Sequence, residues 1–429
     1  MRSSRARAGR LFALLLAAMP LAGTTAHDAA AADMSDPNWV GTWSAAAQPY
    51  MPGQLAAWRN QSLRLIVHTS VAGNKVRVLV SNRYGERPLN IGAAHVARRT
   101  HDAEIDPASD RTLHFDGQAA TTIPAHAEAL SDVVDLDVPA LSDLAISLFL
   151  PDATEATTSH LLAQQTSYVS TAGDATTTAK FPVAATIDSW PFLTRIDVAA
   201  TARAASVVAF GDSIVDGDGS SEDANQRWPD LLAARLHRAG RDIGVLNQGI
   251  IGNRLLRDSP GDARFGAALG EAGLVRFARD ALDAPGAAWV IVRNGGNDLR
   301  FPGALTPASE TATAQDLIKG YRTLIAQAKR KGIRIIGTTT TPAENATLFP
   351  GASTPQKEAA RQAVNAWMRS SGEFDAVVDF DAVVRDPQRP ARLLARYDSG
   401  DHLHPNDSGY AALAEAIPLS LFDTASGAK

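Results

Sequence analysis

The stretch 206–217 reads SVVAFGDSIVDG: four apolar residues, Val207 to Phe210, run straight into Gly211, Asp212 and Ser213. A run this short and continuous is the pattern of a strand buried on both faces of a parallel sheet. Glycine tolerates the tight backbone of a strand-to-helix turn, and a serine on such a turn can present its Oγ to a cleft. A helix N-cap would also place a serine there, so the tripeptide needs corroboration from the rest of the chain.

Downstream, the same rhythm repeats. Apolar runs recur at Val245–Leu246, Trp289–Val292, Ile333–Ile336 and Val377–Phe380. Helical patterns lie between them: Trp228–Arg238 keeps Leu231, Leu232 and Leu236 on one face, and Asp316–Lys331 aligns Leu317, Tyr321, Leu324, Ile325 and Ala328. Strand and helix in alternation predict a three-layer α/β domain with a parallel sheet. Ligands of such sheets bind beyond the carboxyl ends of the strands, so the polar clusters after each apolar run are the candidate site.

Three further clusters stand there. Asn247–Asn253 offers Gly252, a residue that lets a backbone N–H approach a substrate oxygen or simply forms a turn. Asn294–Asp298 offers Asn297, whose neutral amide suits a developing oxyanion, although Asn and Asp beside glycines also suit an ordinary turn. Asp398–Tyr410 holds Asp401 three residues before His404, a spacing that lets the carboxylate fold back onto the imidazole and fix its tautomer. His402 competes with His404 locally. A metal site from His402, His404, Asp401 and Asp398 competes too, but these four in a row lack the usual ligand spacing. Asp379 and Asp381 are weaker candidates for the orienting acid, since neither shares the His404 turn; Asp212 and Asp298 read as loop anchors. Trp190, Trp228, Trp289 and Trp367 read as core.

Taken together, Gly211–Gly217, Gly252, Gly295–Asp298 and Asp401–Pro405 resemble the four blocks of the SGNH (GDSL-type) hydrolases, and no block departs from the pattern. The resemblance covers about Ser206–Leu421, and Trp39–Tyr50 with the half that follows is similar to larger bacterial GDSL-type esterases and lipases. It implies a flavodoxin-like fold, Ser213 as nucleophile, His404 as base, Asp401 as its partner, and an oxyanion hole from Ser213, Gly252 and Asn297. The substrate it implies is a small-molecule, lipid or acylated-sugar ester. The rival readings are a polysaccharide O-acetyl esterase, a (lyso)phospholipase or lipase, and a non-catalytic binding protein on the same fold.

Upstream of residue 200 the pattern is short and alternating. Ser62–His68 and Lys75–Ser81 flank Ala72, Gly73 and Asn74 as a hairpin would. Similar runs at Leu89–Val96, Thr112–Phe115, Val133–Val138, Leu144–Leu150 and Ser167–Val169 predict a β-sandwich or jelly roll, with Gly173–Thr186 a loop before a last strand. The expected division is a signal peptide over 1–32, a β-rich domain over 35–200 and a hydrolase domain over 204–425.

The N-terminus carries Arg2, Arg5, Arg7 and Arg10, then an apolar run from Leu11 to Ala22 and small residues between Ala26 and Ala32. That is the layout of a cleaved secretory signal, too short to span a bilayer, and it predicts export to the periplasm or medium. No stable membrane span is expected in the mature chain. A net charge of −5 without a basic stripe argues against nucleic acid as a partner. The chain has no cysteine, which removes thiol nucleophiles and thiolate metal sites. The glycine-rich turns lack both dinucleotide and phosphate-loop spacings, so no cofactor is called for. Oligomeric state is not legible.

Overall fold

A computed structural model describes residues 37–423; the expected signal peptide lies outside them. From residue 205 onward the core is a five-stranded parallel sheet of β1 (Ala205–Gly211), β2 (Ile243–Gly249), β3 (Ala287–Arg293), β4 (Arg334–Thr338) and β5 (Ala376–Val378), in the order β2-β1-β3-β4-β5. That order reverses direction at β1, so the crevice beyond the carboxyl ends of β1 and β3 is where a doubly wound sheet binds its ligands.

Both faces of the sheet are covered, which is why its strands are apolar without alternation. Val207, Ala209, Val245 and Ile291 pack with Leu232 and Leu236 of the helix Trp228–Arg238 and with Tyr410 and Leu413 of the helix Asp407–Glu415. Val208, Phe210, Leu246 and Val290 face the other way, onto Leu317, Tyr321 and Leu324 of the helix Ala314–Arg330 and onto Val364 and Met368 of the helix Pro355–Ser371. The helix expected from Asp316 begins two residues earlier, because Asp316 is the third residue of a capping box closed by Thr313. The run expected to continue to Phe380 as strand stops at Val378: Asp379 caps a short helix, Phe380–Val384, through the Ala382 N–H.

The β-rich half forms two large antiparallel sheets around a shared core, with two short two-stranded pairs beside them, Ala57–Trp58 on Thr154–Glu155 and Leu89–Ile91 on Thr121–Ile123. One runs Trp39–Ser44, Leu193–Ala199, Gly73–Ser81, Glu128–Leu130, with Val134–Val138 also on Gly73–Ser81. The other runs Val183–Ile187, Ser167–Ala172, Gln61–His68, Asp143–Leu150, Ala93–His101 and Glu104–Ile105, with Arg111–Thr112 on Ala93–His101. The predicted hairpin is corrected here: Gln61–His68 and Gly73–Ser81 lie in opposite sheets. Leu63, Leu65 and Val67 share the core with Val76, Val78 and Val80 rather than a ladder. The connection is held open because its donors go elsewhere, Thr69 N–H to Ser142 O at 2.8 Å and Ser70 N–H to Thr42 O at 2.9 Å. Within the expected loop, Val183–Ile187 is instead an exposed edge strand paired with Ser167–Ala172.

The sandwich lies against the β2 edge of the parallel sheet. Ser70 Oγ accepts the Val245 N–H at 2.9 Å, Ser44 Oγ donates to Asn247 O at 3.2 Å, and Gly41 N–H donates to Pro285 O at 3.2 Å. Gly41 is required at this approach, since a Cβ there would lie 2.7 Å from Leu246 Cδ1.

Candidate active site

Ser213 opens a four-residue helix, Ser213–Asp216, directly after β1. Asp212 caps it by accepting the Ile214 N–H at 3.2 Å, and its other oxygen pairs with buried Arg293 at the end of β3. The chain enters the turn through Gly211, where a Cβ would strike Arg293 O. It leaves through Gly217 in the left-handed conformation, φ 111°. As the first helical residue, Ser213 has an N–H that the helix cannot pair.

His404 reaches this turn from the far end of the chain. Its Nε2 lies 2.8 Å from Ser213 Oγ, and its Nδ1 lies 2.5 Å from Asp401 Oδ2. The other Asp401 oxygen accepts the Leu403 and His404 backbone N–H groups, both at 2.8 Å. Burial on its own would raise the Asp401 pKa. The hydrogen bond and charge of His404, with the two N–H groups, outweigh it and hold the carboxyl well below the usual range. With Nδ1 donating to Asp401, Nε2 is left unprotonated and able to accept the serine proton. His402, in a left-handed conformation, turns to Asp398 instead, at 2.5 Å from its Nδ1. Asp379 and Asp381 bind Arg369, and Asp381 also binds Arg361 and Arg385, so neither addresses the imidazole.

Gly252 follows β2 with φ 68°, and its N–H meets no protein acceptor among the described residues. The loop around it is suspended from Asp298, which accepts the Leu255 and Leu256 N–H groups at 2.7 and 2.9 Å. Burial pushes the Asp298 carboxyl up to about 6 despite these bonds. Asn297, next to Asp298, gives one amide hydrogen to Asn253 O at 3.0 Å and retains a second. Ser213, Gly252, Asn297 and His404 all line one open cleft of about 170 Å³. Its other walls are largely apolar, with Ile251, Phe265, Leu269, Phe301, Leu305 and Phe349 among them. Phe301 and Leu305 follow the short helix Gly296–Arg300, and Leu348 and Phe349 belong to the segment between β4 and the helix Pro355–Ser371.

Several groups at the site were not found by reading the sequence. Asp218 Oδ2 stands 3.6 Å from His404 Nε2, its pKa raised by burial and by Asp216 and Asp401 against the lowering effect of His404. Arg276, fully buried over the Phe210 ring, donates to Gly211 O at 2.7 Å, Gln248 O at 2.9 Å and Asn253 Oδ1, tying together the ends of β1 and β2. Met51 of the β-rich half lines the cleft. Asp216 is visible inside the serine block, but its partner, His160, lies in the other half of the chain.

Residues 209–412 match the family model described as GDSL-like Lipase/Acylhydrolase family. No curated protein matches the chain. Among solved structures, an aryl esterase of M. smegmatis aligns at 19% identity over 49% of this chain and 95% of its own, with a TM-score of 0.38. A carbohydrate acetylesterase family member from Sinorhizobium meliloti aligns at 19% identity over 49% and 94%, with a TM-score of 0.37. A GDSL-like lipase from Bacteroides thetaiotaomicron VPI-5482 aligns at 19% identity over 49% and 84%, with a TM-score of 0.32.

Proposed function

Because residues 209–412 carry a GDSL-like lipase/acylhydrolase domain, we propose that the protein is an exported serine esterase hydrolysing carboxylic esters through Ser213, His404 and Asp401. One observation carries the reading: the unbroken relay from Ser213 Oγ to His404 Nε2 at 2.8 Å and from His404 Nδ1 to Asp401 at 2.5 Å, opening onto a cleft. Export rests on the N-terminal sequence alone.

In this mechanism His404 Nε2 takes the Ser213 proton as Oγ attacks the ester carbonyl, and Asp401 balances the imidazolium. The oxyanion accepts hydrogen bonds from the Ser213 and Gly252 N–H groups and the free hydrogen of the Asn297 amide. His404 then protonates the departing alcohol. Water, activated by the same base, releases the acid and restores Ser213.

The apolar walls favour an ester with an apolar acyl or aryl group over an O-acetylated sugar. The test is a panel of p-nitrophenyl esters from acetate to dodecanoate, with acetylated xylan and a lysophospholipid, on wild type and Ser213→Ala. Expected is faster hydrolysis of the apolar acyl esters than of acetylated xylan, lost in Ser213→Ala. Faster release of acetate from xylan would move the reading to a polysaccharide deacetylase. Activity surviving Ser213→Ala would overturn it, and a wild type inert to every ester and to organophosphate labelling would point to a binding protein.

A further inference from the structure

We propose that His160, in the β-rich half, is a positioning residue of the active site: through Asp216 it locks the Ser213 turn to the Gly252 loop, so the sandwich completes the oxyanion geometry. The inference rests on the ester-hydrolysis reading above.

The geometry begins with the ring. His160 is buried, and both of its nitrogens face acceptors: Nδ1 lies 3.0 Å from Ala46 O, and Nε2 lies 2.9 Å from Asp216 Oδ1 and 3.2 Å from Leu162 O. With acceptors at both nitrogens, the doubly protonated ring is the form that satisfies every one of these contacts at once. Burial on its own lowers the pKa of such a ring, but the charge and hydrogen bond of Asp216 more than offset it and raise the pKa. The ring plane is set by stacking on Trp190, with centroids 5.6 Å apart, and Trp190 is itself fixed by its indole N–H on Ile66 O at 2.8 Å.

Asp216 is where this reaches the chemistry. Its Oδ1 accepts from His160, while its Oδ2 accepts the Ile251 N–H at 2.9 Å. Asp216 shares a single helical turn with Ser213, and Ile251 immediately precedes Gly252. One buried carboxylate thus joins the segments that supply two of the three oxyanion donors, and its countercharge comes from the sandwich. Removing a partner from such a buried pair leaves an uncompensated charge, and the surroundings must rearrange to solvate it. Neighbouring anchors act in the same sense: Gln164 Nε2 donates to Gly217 O at 3.3 Å and Ser220 O at 3.0 Å, and Gln48 Nε2 to Ala268 O at 2.5 Å, beside Leu269 of the cleft wall.

The experiment is a double-mutant cycle of His160→Leu with Asn297→Ala in the full chain, reading kcat and KM on a short p-nitrophenyl ester. Expected is a kcat at least tenfold lower for His160→Leu with KM within about threefold, and a combined loss smaller than the product of the single losses. Unchanged kcat, a change in KM alone, or strictly multiplicative losses would overturn the inference. If His160→Leu is unfolded at the assay temperature, Asp216→Asn breaks the same link from the other side: a severalfold fall in kcat is expected, and a wild-type kcat overturns the inference. Wild-type activity and its loss in Ser213→Ala are measured alongside. If these fail, the esterase reading has failed; if they hold and the His160 result does not, only the positioning role has.

Discussion

Replacing Gly252 by alanine perturbs backbone and cleft at one point, and the structure fixes both effects. At φ 68° an alanine is strained by about 1–2 kcal/mol. Its Cβ would lie 2.8 Å from Leu269 Cδ1 and 2.9 Å from Cδ2, closer than real side chains tolerate. Leu269 is buried and lines the cleft, so the free direction for it is into the substrate space. If the backbone instead relaxes to negative φ, the Gly252 N–H swings away from its present direction and an oxyanion donor is lost, at about 2.7–4 kcal/mol in the barrier. Gly252→Ala should therefore lose about 1–2 kcal/mol of stability in urea unfolding and lower kcat by roughly 10- to 10³-fold. Leu269 crowding should shift the acyl preference toward acetate, and adding Leu269→Ala should return it toward longer acids. The assay is kcat and KM on acetate and hexanoate p-nitrophenyl esters beside the unfolding curve. Wild-type kcat with an unaltered acyl preference would refute the reasoning.

Other perturbations address the rest of the site. Asn297→Ala should lower kcat by roughly 10²–10³ with little change in KM, the signature of an interaction made in the transition state; an unchanged kcat removes Asn297 from the oxyanion hole. Asp298→Ala orphans the buried Leu255 and part-buried Leu256 N–H groups, and at about 1–3 kcal/mol for each unsatisfied group it should lower stability by about 2–6 kcal/mol, checked by urea unfolding. Asp401 has its folded pKa below the unfolded value of about 3.9, so its stabilisation is present above about pH 4 and fades as pH falls through the folded value. The melting-temperature gap between wild type and Asp401→Asn should accordingly narrow as pH falls below about 4; a gap constant from pH 7 to 3 contradicts the lowered Asp401 pKa.

The α/β half was legible because each clue is local. Val207–Phe210 into Gly211 gives a strand and its turn within a few residues, and Asp401 reaches His404 within one turn of chain. His402 and His404 could be separated by adjacency to Asp401 alone, and the structure sends them to different carboxylates. What stayed hidden depends on long-range contact. The alternation of Ser62–His68 and Lys75–Ser81 marks two strands but does not say whether they meet across a ladder or across a core; Thr42 and Ser142, remote in sequence, decide that. Val183–Ile187 carries little apolar patterning because its side chains face solvent, so only its single partner strand identifies it. His160 was invisible for the same reason, since its carboxylate partner Asp216 lies 56 residues away; Arg276 pairs with Asp280 one turn on, but the groups it ties together at the ends of β1 and β2 are remote in sequence.

The contact of the sandwich with β2 has a consequence for any attempt to dissect the chain. β2 is the outermost strand of the parallel sheet, and Ser70 and Ser44 occupy backbone groups that would otherwise offer themselves to another strand. A fragment beginning near residue 204 would bare that edge along with Leu246, now covered by Gly41. Open strand edges recruit one another. Such a fragment should self-associate rather than persist as a smaller monomer, so in this chain the sandwich also serves as the guard that keeps the sheet from growing.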